Sequence, residues 1–241
     1  MSIRLVPGPI RHCLNYLHHY GLRIALRDAK PYLRELIFRT EQRTERAEQF
    51  DSRFGTDTSS PVWPWDLPSI RSSGREVLGY EVVPVQALRD ILKTLPLDDK
   101  RFAFVDLGCG KGRPLLVASE FPFSKIVGVE LSTELQAIAE RNLEIYRPPN
   151  QRCRNFELRR LDAAEYMFPS DPLIVFLYNP FGEKTMRRVF ANLHEALRRS
   201  GKLAYVIYMN PQFEPLLHID FLRRLPSPSA YSLYLYEASN K

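Results

Sequence analysis

Three closely spaced glycines could form a turn that holds a nucleotide-like ligand. Gly108, Gly110 and Gly112 follow the apolar run 102–105 and precede the helical composition of 114–120. Glycine lets the chain turn tightly and lets the backbone come close to a ligand. A strand, a glycine turn and a helix form the ligand site at the carboxyl end of a parallel sheet. The segment therefore predicts a binding site for a nucleotide-like cofactor.

The spacing of these glycines distinguishes three kinds of binding site. A dinucleotide fingerprint requires its third glycine at the position of Arg113. A phosphate-binding P-loop requires serine or threonine after Gly-Lys, where this chain has Gly112. What remains is the pattern Asp-x-Gly-x-Gly-x-Gly, which begins at Asp106. The spacing therefore disfavours both a nicotinamide site and a P-loop.

This pattern resembles the first motif of class I S-adenosylmethionine-dependent methyltransferases. A second apolar run, 126–129, ends in the carboxylate Glu130, as in that family. The resemblance implies that S-adenosylmethionine is the cofactor, that Asp106 and the three glycines contact it, and that Glu130 accepts its ribose hydroxyls. A glycine turn without a ligand is the alternative.

Polar residues also follow the third predicted strand and precede the first. The resemblance implies that Asp162 meets the exocyclic amine of adenine, and that the small Ala163 leaves room for the ring. Alternatively, Asp162 only caps a helix. Tyr80 lies in the segment that leads into the helix before the glycine motif. In the family that this chain resembles, residues of that segment border the methionine end of the cofactor. We therefore expect Tyr80 to line the cofactor site.

The segment after the fourth predicted strand resembles a motif of methyltransferases that act on amines. Tyr178-Asn179-Pro180-Phe181 matches Asn-Pro-Pro-aromatic in part, because Phe181 replaces the second proline and Gly182 replaces the aromatic residue. The resemblance implies a nitrogen acceptor, with Asn179, Tyr178 and Phe181 as catalytic residues. The alternative is a proline-stiffened loop in which Asn179 is a turn residue.

The likeness to known families extends beyond single motifs. Together with the glycine motif and 178–181, the segment 50–58 resembles a bacterial-type family of class I methyltransferases. The glycine turn and Asn-Pro-Phe also resemble the non-SET histone lysine methyltransferases, but over shorter segments. The implied acceptor is a protein side chain or a small molecule, and a nucleic acid has weaker support. A catalytically inactive module that binds cofactor and acts through a partner is an alternative function.

Alternating strands and helices predict an α/β fold. The predicted strands are 102–106, 125–130, 156–161, 173–178, 203–209, 221–225 and 231–237; the helices between them are 85–95, 113–120, 133–146 and 183–199. The last two strands are separated by too few residues for a crossover helix, so they must be antiparallel. This is a Rossmann-like, seven-stranded mixed sheet with an antiparallel terminal hairpin, preceded by an N-terminal helical arm. We predict a basic helical arm over 1–49, a loop or lid over 50–78 that contains Trp63 and Trp65, and the methyltransferase domain over 79–241.

Composition narrows the class of protein. The chain has 241 residues, 44% of them apolar, and a formal net charge of +6. Its three cysteines have no paired spacing, which predicts neither disulfides nor a metal site and fits a reducing compartment. No apolar run is long enough to span a bilayer. We therefore expect a cytoplasmic protein without a metal cofactor.

Overall fold

The computed structural model describes most of the predicted catalytic domain. The described residues are 41–60, 62, 66–73, 80–97, 102–211, 213, 221–227 and 231–238, without the side chains of 41–46 and 71–73. Contacts within the chain define two compact units, Met1–Glu48 and Gln49–Lys241. Most of the predicted arm, together with Trp63 and Trp65, lies outside the described residues.

The second unit is built around one seven-stranded sheet. Its strands are β1 Ala103–Leu107, β2 Lys125–Glu130, β3 Phe156–Arg160, β4 Leu173–Tyr178, β5 Ala204–Met209, β6 Arg223–Leu225 and β7 Tyr231–Tyr236. Their order is β3-β2-β1-β4-β5-β7-β6. The first five strands are parallel, and β7 pairs antiparallel with both β5 and β6. The predicted fold class is confirmed.

Helices cover both faces of this sheet. The described helices are α1 Glu41–Phe54, α2 Pro68–Ser73, α3 Val85–Thr94, α4 Arg113–Ala118, α5 Thr133–Ile145 and α6 Glu183–Ser200, with a 3₁₀ turn at Ala163–Glu165. Leu88 and Ile91 of α3 belong to one apolar layer, whereas Met186 and Phe190 of α6 belong to the other. The strand β4 is buried from Leu173 to Leu177 because it lies between the two layers.

Local signals set the ends of two helices as predicted. The Ser132 hydroxyl accepts a hydrogen bond from the Leu135 amide and so caps α5. Gly201 ends α6 in a left-handed conformation, with φ at 61°.

The beginning of the predicted loop is helical. The helix α1 continues to Phe54, although a loop was predicted from residue 50. Phe50 lies 5.6 Å from the ring of Tyr146, and Phe54 lies 4.7 Å from it, measured between ring centroids. Phe50 and Tyr146 form a small buried cluster with Leu116. Packing therefore extends the helix past the change in composition that suggested a boundary.

No helix among the described residues is long and apolar enough to cross a membrane. Within the same residues, no group of three or more His, Cys, Asp or Glu side chains could hold a metal ion. Cys109 and Cys153 are buried free thiols.

Candidate cofactor and acceptor pocket

A pocket opens at the carboxyl edge of the parallel strands, where ligands bind in open α/β sheets. Its polar lining residues include Tyr80, Asp106, Glu130, Asp162 and Tyr178. Gly108, Gly110, Ala163 and Phe181 also line it. The structure thus brings these predicted cofactor residues together. Gly112, which precedes α4, is not among the residues that line the pocket.

The glycine turn needs glycine for two reasons. Gly108, Gly110 and Gly112 all have positive φ, which strains other residues. A Cβ on Gly110 would also lie 2.4 Å from the ring of Tyr80, and one on Gly108 would lie 2.6 Å from Cβ of Pro180. A side chain at Gly108 would therefore clash with Pro180, and one at Gly110 would clash with Tyr80.

Glu130 is held in place by backbone donors. The Gly110 amide donates to its Oε2 at 2.9 Å, and the Ser132 amide donates to its Oε1 at 2.8 Å. Burial raises the pKa of Glu130, and these backbone hydrogen bonds oppose that shift. Each carboxylate oxygen can accept a further hydrogen bond, so Glu130 fits the predicted role of ribose acceptor.

Asp106 is a buried carboxylate with an oxygen left unpaired. Its side chain is 1% exposed, and no donor among the described residues reaches its Oδ2. Burial, together with the nearby charge of Glu130, raises the pKa of Asp106 well above its usual range. A buried unpaired acceptor is costly unless a ligand satisfies it. The cationic ammonium of S-adenosylmethionine has the charge and the donors to do so.

Asp162 fulfils one of the two roles weighed from the sequence, that of a cap. Its Oδ1 accepts from the Ala164 amide at 2.8 Å and so caps the 3₁₀ turn. It also lines the pocket, next to Ala163. The cap orients the carboxylate, and the contact with adenine remains a prediction.

The segment 51–59 supports the pocket in a way that was missed from the sequence. The buried Asp51 accepts hydrogen bonds from both the hydroxyl and the amide of Thr58, from the Thr56 hydroxyl and from the Ser59 amide. The Thr58 carbonyl in turn accepts from the Tyr80 hydroxyl at 2.8 Å. Burial opposes the ionisation of Asp51, but these donors outweigh it and lower its pKa.

The same part of the chain also contacts two charged residues of the glycine turn, Lys111 and Arg113. Arg113, only 1% exposed, donates from Nε to the Thr58 hydroxyl at 2.7 Å. Its guanidinium also lies over the Phe50 ring, 5.0 Å from the centroid. The Lys111 ammonium pairs with Asp57 at 2.8 Å. Lys111 and Arg113 thus hold Phe50 and the segment 51–59 in place, and neither of them lines the described pocket.

A second wall of the pocket comes from α2, which lies within the predicted loop or lid. Leu67 and Ile70 line the pocket and pack against Leu135. The Ser69 hydroxyl and amide donate to the Glu134 carboxylate at the start of α5. Burial opposes the ionisation of Glu134, but hydrogen bonds from Ser69 and Ser132 lower its pKa to about 2. The only sequence signal for this wall is the apolar pair itself, which any loop could contain.

Only two of the three predicted catalytic residues line the pocket. Tyr178 and Phe181 line the pocket. Asn179 is not among its lining residues; the carboxamide oxygen is buried 3.5 Å from the Tyr208 hydroxyl. Asn179 and Asn210, which precede prolines at neighbouring strand ends, both have positive φ, 44° and 48°. Asn179 is thus a turn residue, and its part in catalysis stays a prediction.

Two substitutions at Asn179 separate the side chain from the backbone. Glycine keeps the left-handed conformation, whereas alanine adds strain of about 1–2 kcal/mol. We expect Asn179→Ala to lower the melting temperature more than Asn179→Gly. If the carboxamide aligns an acceptor, both variants should lose turnover by about 10²–10³-fold at unchanged cofactor affinity. Wild-type turnover in Asn179→Gly would leave the residue a purely structural role.

Comparisons with known proteins agree with this geometry. Residues 104–201 match the family model described as "Methyltransferase domain". Over 138 residues, the chain is 25% identical to the probable S-adenosylmethionine-dependent methyltransferase CRG1 of Saccharomyces cerevisiae. That alignment covers 56% of this chain but only 41% of the yeast protein. The chain thus spans about two fifths of the length of this relative.

Solved structures resemble the chain more remotely. A putative S-adenosylmethionine-dependent methyltransferase from Methanococcus maripaludis is 13% identical, with a TM-score of 0.48 over 65% of this chain and 85% of the other. An RNA methyltransferase from Salinibacter ruber, solved with S-adenosylhomocysteine, is 18% identical, with a TM-score of 0.45 over 67% and 95%. The sequence of residues 104–201 thus matches a methyltransferase domain, and the strand order and the glycine turn agree with the predicted class I methyltransferase fold.

Proposed function

We propose that this chain transfers a methyl group from S-adenosylmethionine to a nitrogen atom of a protein side chain or a small molecule. The observation that carries the proposal is the buried, unpaired Asp106 oxygen in the same pocket as Glu130 and Asp162. These carboxylates suit a ligand that carries an ammonium at one end and donors on a ribose and an adenine at the other.

The residues of the chain would bind and orient the ligand and exclude water. Asp106 would hold the cationic end, and Glu130 would accept the ribose hydroxyls. Leu67, Ile70 and Leu135 would provide apolar walls near the adenine, beside Ala163. When bound, S-adenosylmethionine supplies the electrophilic methyl group. The protein would therefore contribute mainly by positioning the two reactants.

The nitrogen acceptor is supported by aromatic side chains in the lining of the pocket. Tyr178, Phe181 and Tyr80 all line it. Aromatic faces attract cations, including an alkylated amine or an amine that still carries its proton. The partial match of 178–181 to the motif of amine methyltransferases points in the same direction.

The experiment that tests the cofactor is calorimetric titration with four ligands. We expect S-adenosylmethionine and S-adenosylhomocysteine to bind, and NAD and NADP not to bind, because Arg113 occupies the third glycine position of a dinucleotide site. Nicotinamide binding without S-adenosylmethionine binding would indicate an oxidoreductase instead. Incubation with methyl-labelled cofactor and fractions of proteins, metabolites and nucleic acids would then identify the acceptor. Binding without transfer to any fraction would favour the inactive module.

Glu130 provides a quantitative test of the ribose contact. We expect Glu130→Ala to weaken cofactor binding by about 1.5–3 kcal/mol, the scale for hydrogen bonds to a charged group. Because Glu130 also accepts the amides of Gly110 and Ser132, part of this loss would come from a less ordered turn. Titration with 2′-deoxy cofactor separates the two: the variant should no longer discriminate against it. Retained discrimination would place the ribose contact on another residue.

A further inference from the structure

A second cavity lies within the unit Gln49–Lys241, separate from the candidate cofactor and acceptor pocket. It has a volume of about 480 Å³ and is lined by Arg53, Phe54, Arg89, Lys93, Glu120, Phe121, Pro149, Asn150 and Arg152. None of these residues lines the pocket described above. They come from the end of α1, from α3, and from the segments that follow α4 and α5.

This cavity lies toward the opposite edge of the sheet. The helices α4 and α5 lead back from the carboxyl ends of their strands, so the segments after them lie near the amino ends. The Ser119 carbonyl joins these two segments by accepting from the amides of Arg152 and Cys153. Strands of five to six residues, at about 3.3 Å per residue, separate the two edges by roughly 15–20 Å. A ligand here would therefore not compete with the cofactor.

The lining of the cavity is strongly cationic. Arg53, Arg89, Lys93 and Arg152 contribute positive charges, and Glu120 is the single carboxylate among the lining residues. Arg53 and Arg152 are exposed, and the side chain of Lys93 is 63% exposed. Lys93 also lies 3.7 Å from Asp90, but an exposed pair of this kind is weak. The cavity thus has an excess of positive charge that is open to solvent.

Glu120 forms the fixed floor of this site. It is buried, and it accepts both Nε and Nη2 of Arg89, at 2.9 and 2.7 Å. The Tyr146 hydroxyl and the side-chain amide of Asn150 donate to the same carboxylate, at 2.8 and 3.0 Å. Glu120 therefore orients Arg89, and its four hydrogen bonds leave little capacity to attract the other cations.

Aromatic side chains accompany the cations. Phe54 and Phe121 both line the cavity, and the Arg53 guanidinium lies 5.1 Å from the centroid of the Phe54 ring. Arginine and lysine that follow a phosphate backbone, beside aromatic rings on which bases can stack, are typical of proteins that bind single-stranded nucleic acid. A single peptide carboxylate would be bound by one arginine in a bidentate pair and would not contact the other cations.

We infer that this cavity binds a phosphate-bearing segment of single-stranded nucleic acid. Arg53, Lys93 and Arg152 contact phosphates, Arg89 is fixed beside them, and Phe121 offers a ring for stacking. The net charge of +6 and the calculated isoelectric point of about 9.3 favour the approach of such a polyanion. The inference concerns binding only, and it stands whether or not the proposed methyl transfer is correct.

The test is fluorescence anisotropy with a labelled oligouridylate over a series of salt concentrations. Wild type is compared with the combined variant Arg53→Gln, Lys93→Gln, Arg152→Gln. Each phosphate contact contributes about 0.7 to the slope of log K against log salt for single strands, so the variant should lose about 2 of that slope. We expect its affinity near 0.1 M salt to fall at least tenfold, by roughly one to two powers of ten.

A second variant controls for general attraction to a basic protein. Arg188→Gln, Arg199→Gln, Lys202→Gln removes the same charge from exposed positions outside both pockets. It should keep at least half of the wild-type affinity. Equal losses in the two variants, or no loss in the cavity variant, would overturn the inference. So would binding of pyrophosphate without the oligonucleotide, which would assign the cavity to a small phosphorylated ligand.

Folding is checked independently of nucleic-acid binding. The substituted residues are exposed, so the melting temperature and the affinity for S-adenosylhomocysteine should stay at wild-type values. If the combined variant melts early, Arg53→Gln and Lys93→Gln are measured singly. Each should then lower the salt slope by about 0.7, and an unchanged slope in both would contradict the inference.

Discussion

Asp106→Asn should abolish most cofactor affinity while making the protein more stable. The substitution replaces a buried carboxylate, whose Oδ2 has no described donor, by a neutral group of the same shape. Loss of the pairing with the cationic end of the cofactor should cost about 1.5–3 kcal/mol, which is roughly 10- to 150-fold in affinity. Stability should rise by about 1–3 kcal/mol, because an unsatisfied buried charge is removed.

The pH dependence of this stability difference follows from the raised pKa of Asp106. The folded state holds the proton to a higher pH than the unfolded state does, so wild type loses stability as pH rises from about 3.8 through the folded pKa. The amide variant lacks this loss. The gap between the two melting temperatures should therefore widen over that range and then become constant.

The result can be checked by thermal melts across pH and by calorimetry with S-adenosylhomocysteine. Asp171→Asn, on a segment outside the pocket, is a matched control and should change neither quantity. A variant of Asp106 that binds cofactor as wild type does would remove this residue from the site. A variant that is less stable at every pH would mean that the carboxylate has a partner in the native state.

Asp51→Ala should produce the largest loss of stability. Its carboxylate accepts hydrogen bonds from Thr56, Thr58 and Ser59 and lies 3.6 Å from a guanidinium nitrogen of the buried Arg113. Removing one partner of a buried charged network costs about 3–5 kcal/mol. At about 2–4 °C per kcal/mol for a domain of this size, the melting temperature should fall by roughly 6–20 °C.

Two further variants serve as controls for the loss of stability in Asp51→Ala. Asp90→Ala removes an exposed carboxylate that accepts from the Gln86 side chain at 2.7 Å and lies 3.7 Å from Lys93. It should change stability by less than about 0.5 kcal/mol. Asp51→Asn keeps one acceptor oxygen and should fall between Asp51→Ala and wild type. Cofactor affinity should fall with stability, because Thr58 also holds Tyr80 against the glycine turn. A loss below 1 kcal/mol in Asp51→Ala would show that the segment 51–59 is held by its apolar contacts instead.

The strands and the glycine turn could be predicted because their signals are local. The run 173–178 is apolar throughout, and the structure places β4 at those residues, buried between two helical layers. Ser132 and Gly201 mark helix ends by their own hydrogen bonding and φ preference. The spacing of Gly108, Gly110 and Gly112 reflects a backbone conformation that each glycine adopts by itself. Patterns of this kind depend only on near neighbours in the chain.

The supports of the site depend on contacts between distant residues, which spacing does not encode. Arg113 meets Thr58, 55 residues earlier, and Ser69 meets Glu134, 65 residues later. Composition near residue 50 suggested a boundary, yet Phe50 belongs to the apolar cluster that positions Arg113.

Asn179 shows the same division at a single residue. Its place after a central strand follows from the sequence, whereas the direction of its side chain depends on Tyr208 of the neighbouring strand and on a positive φ. The sequence by itself therefore determined the α/β fold and which residues lie at the edge where a cofactor binds. Only the tertiary structure decided which of those side chains point into the pocket, and which buried charges hold it in shape, because both depend on what packs against each residue.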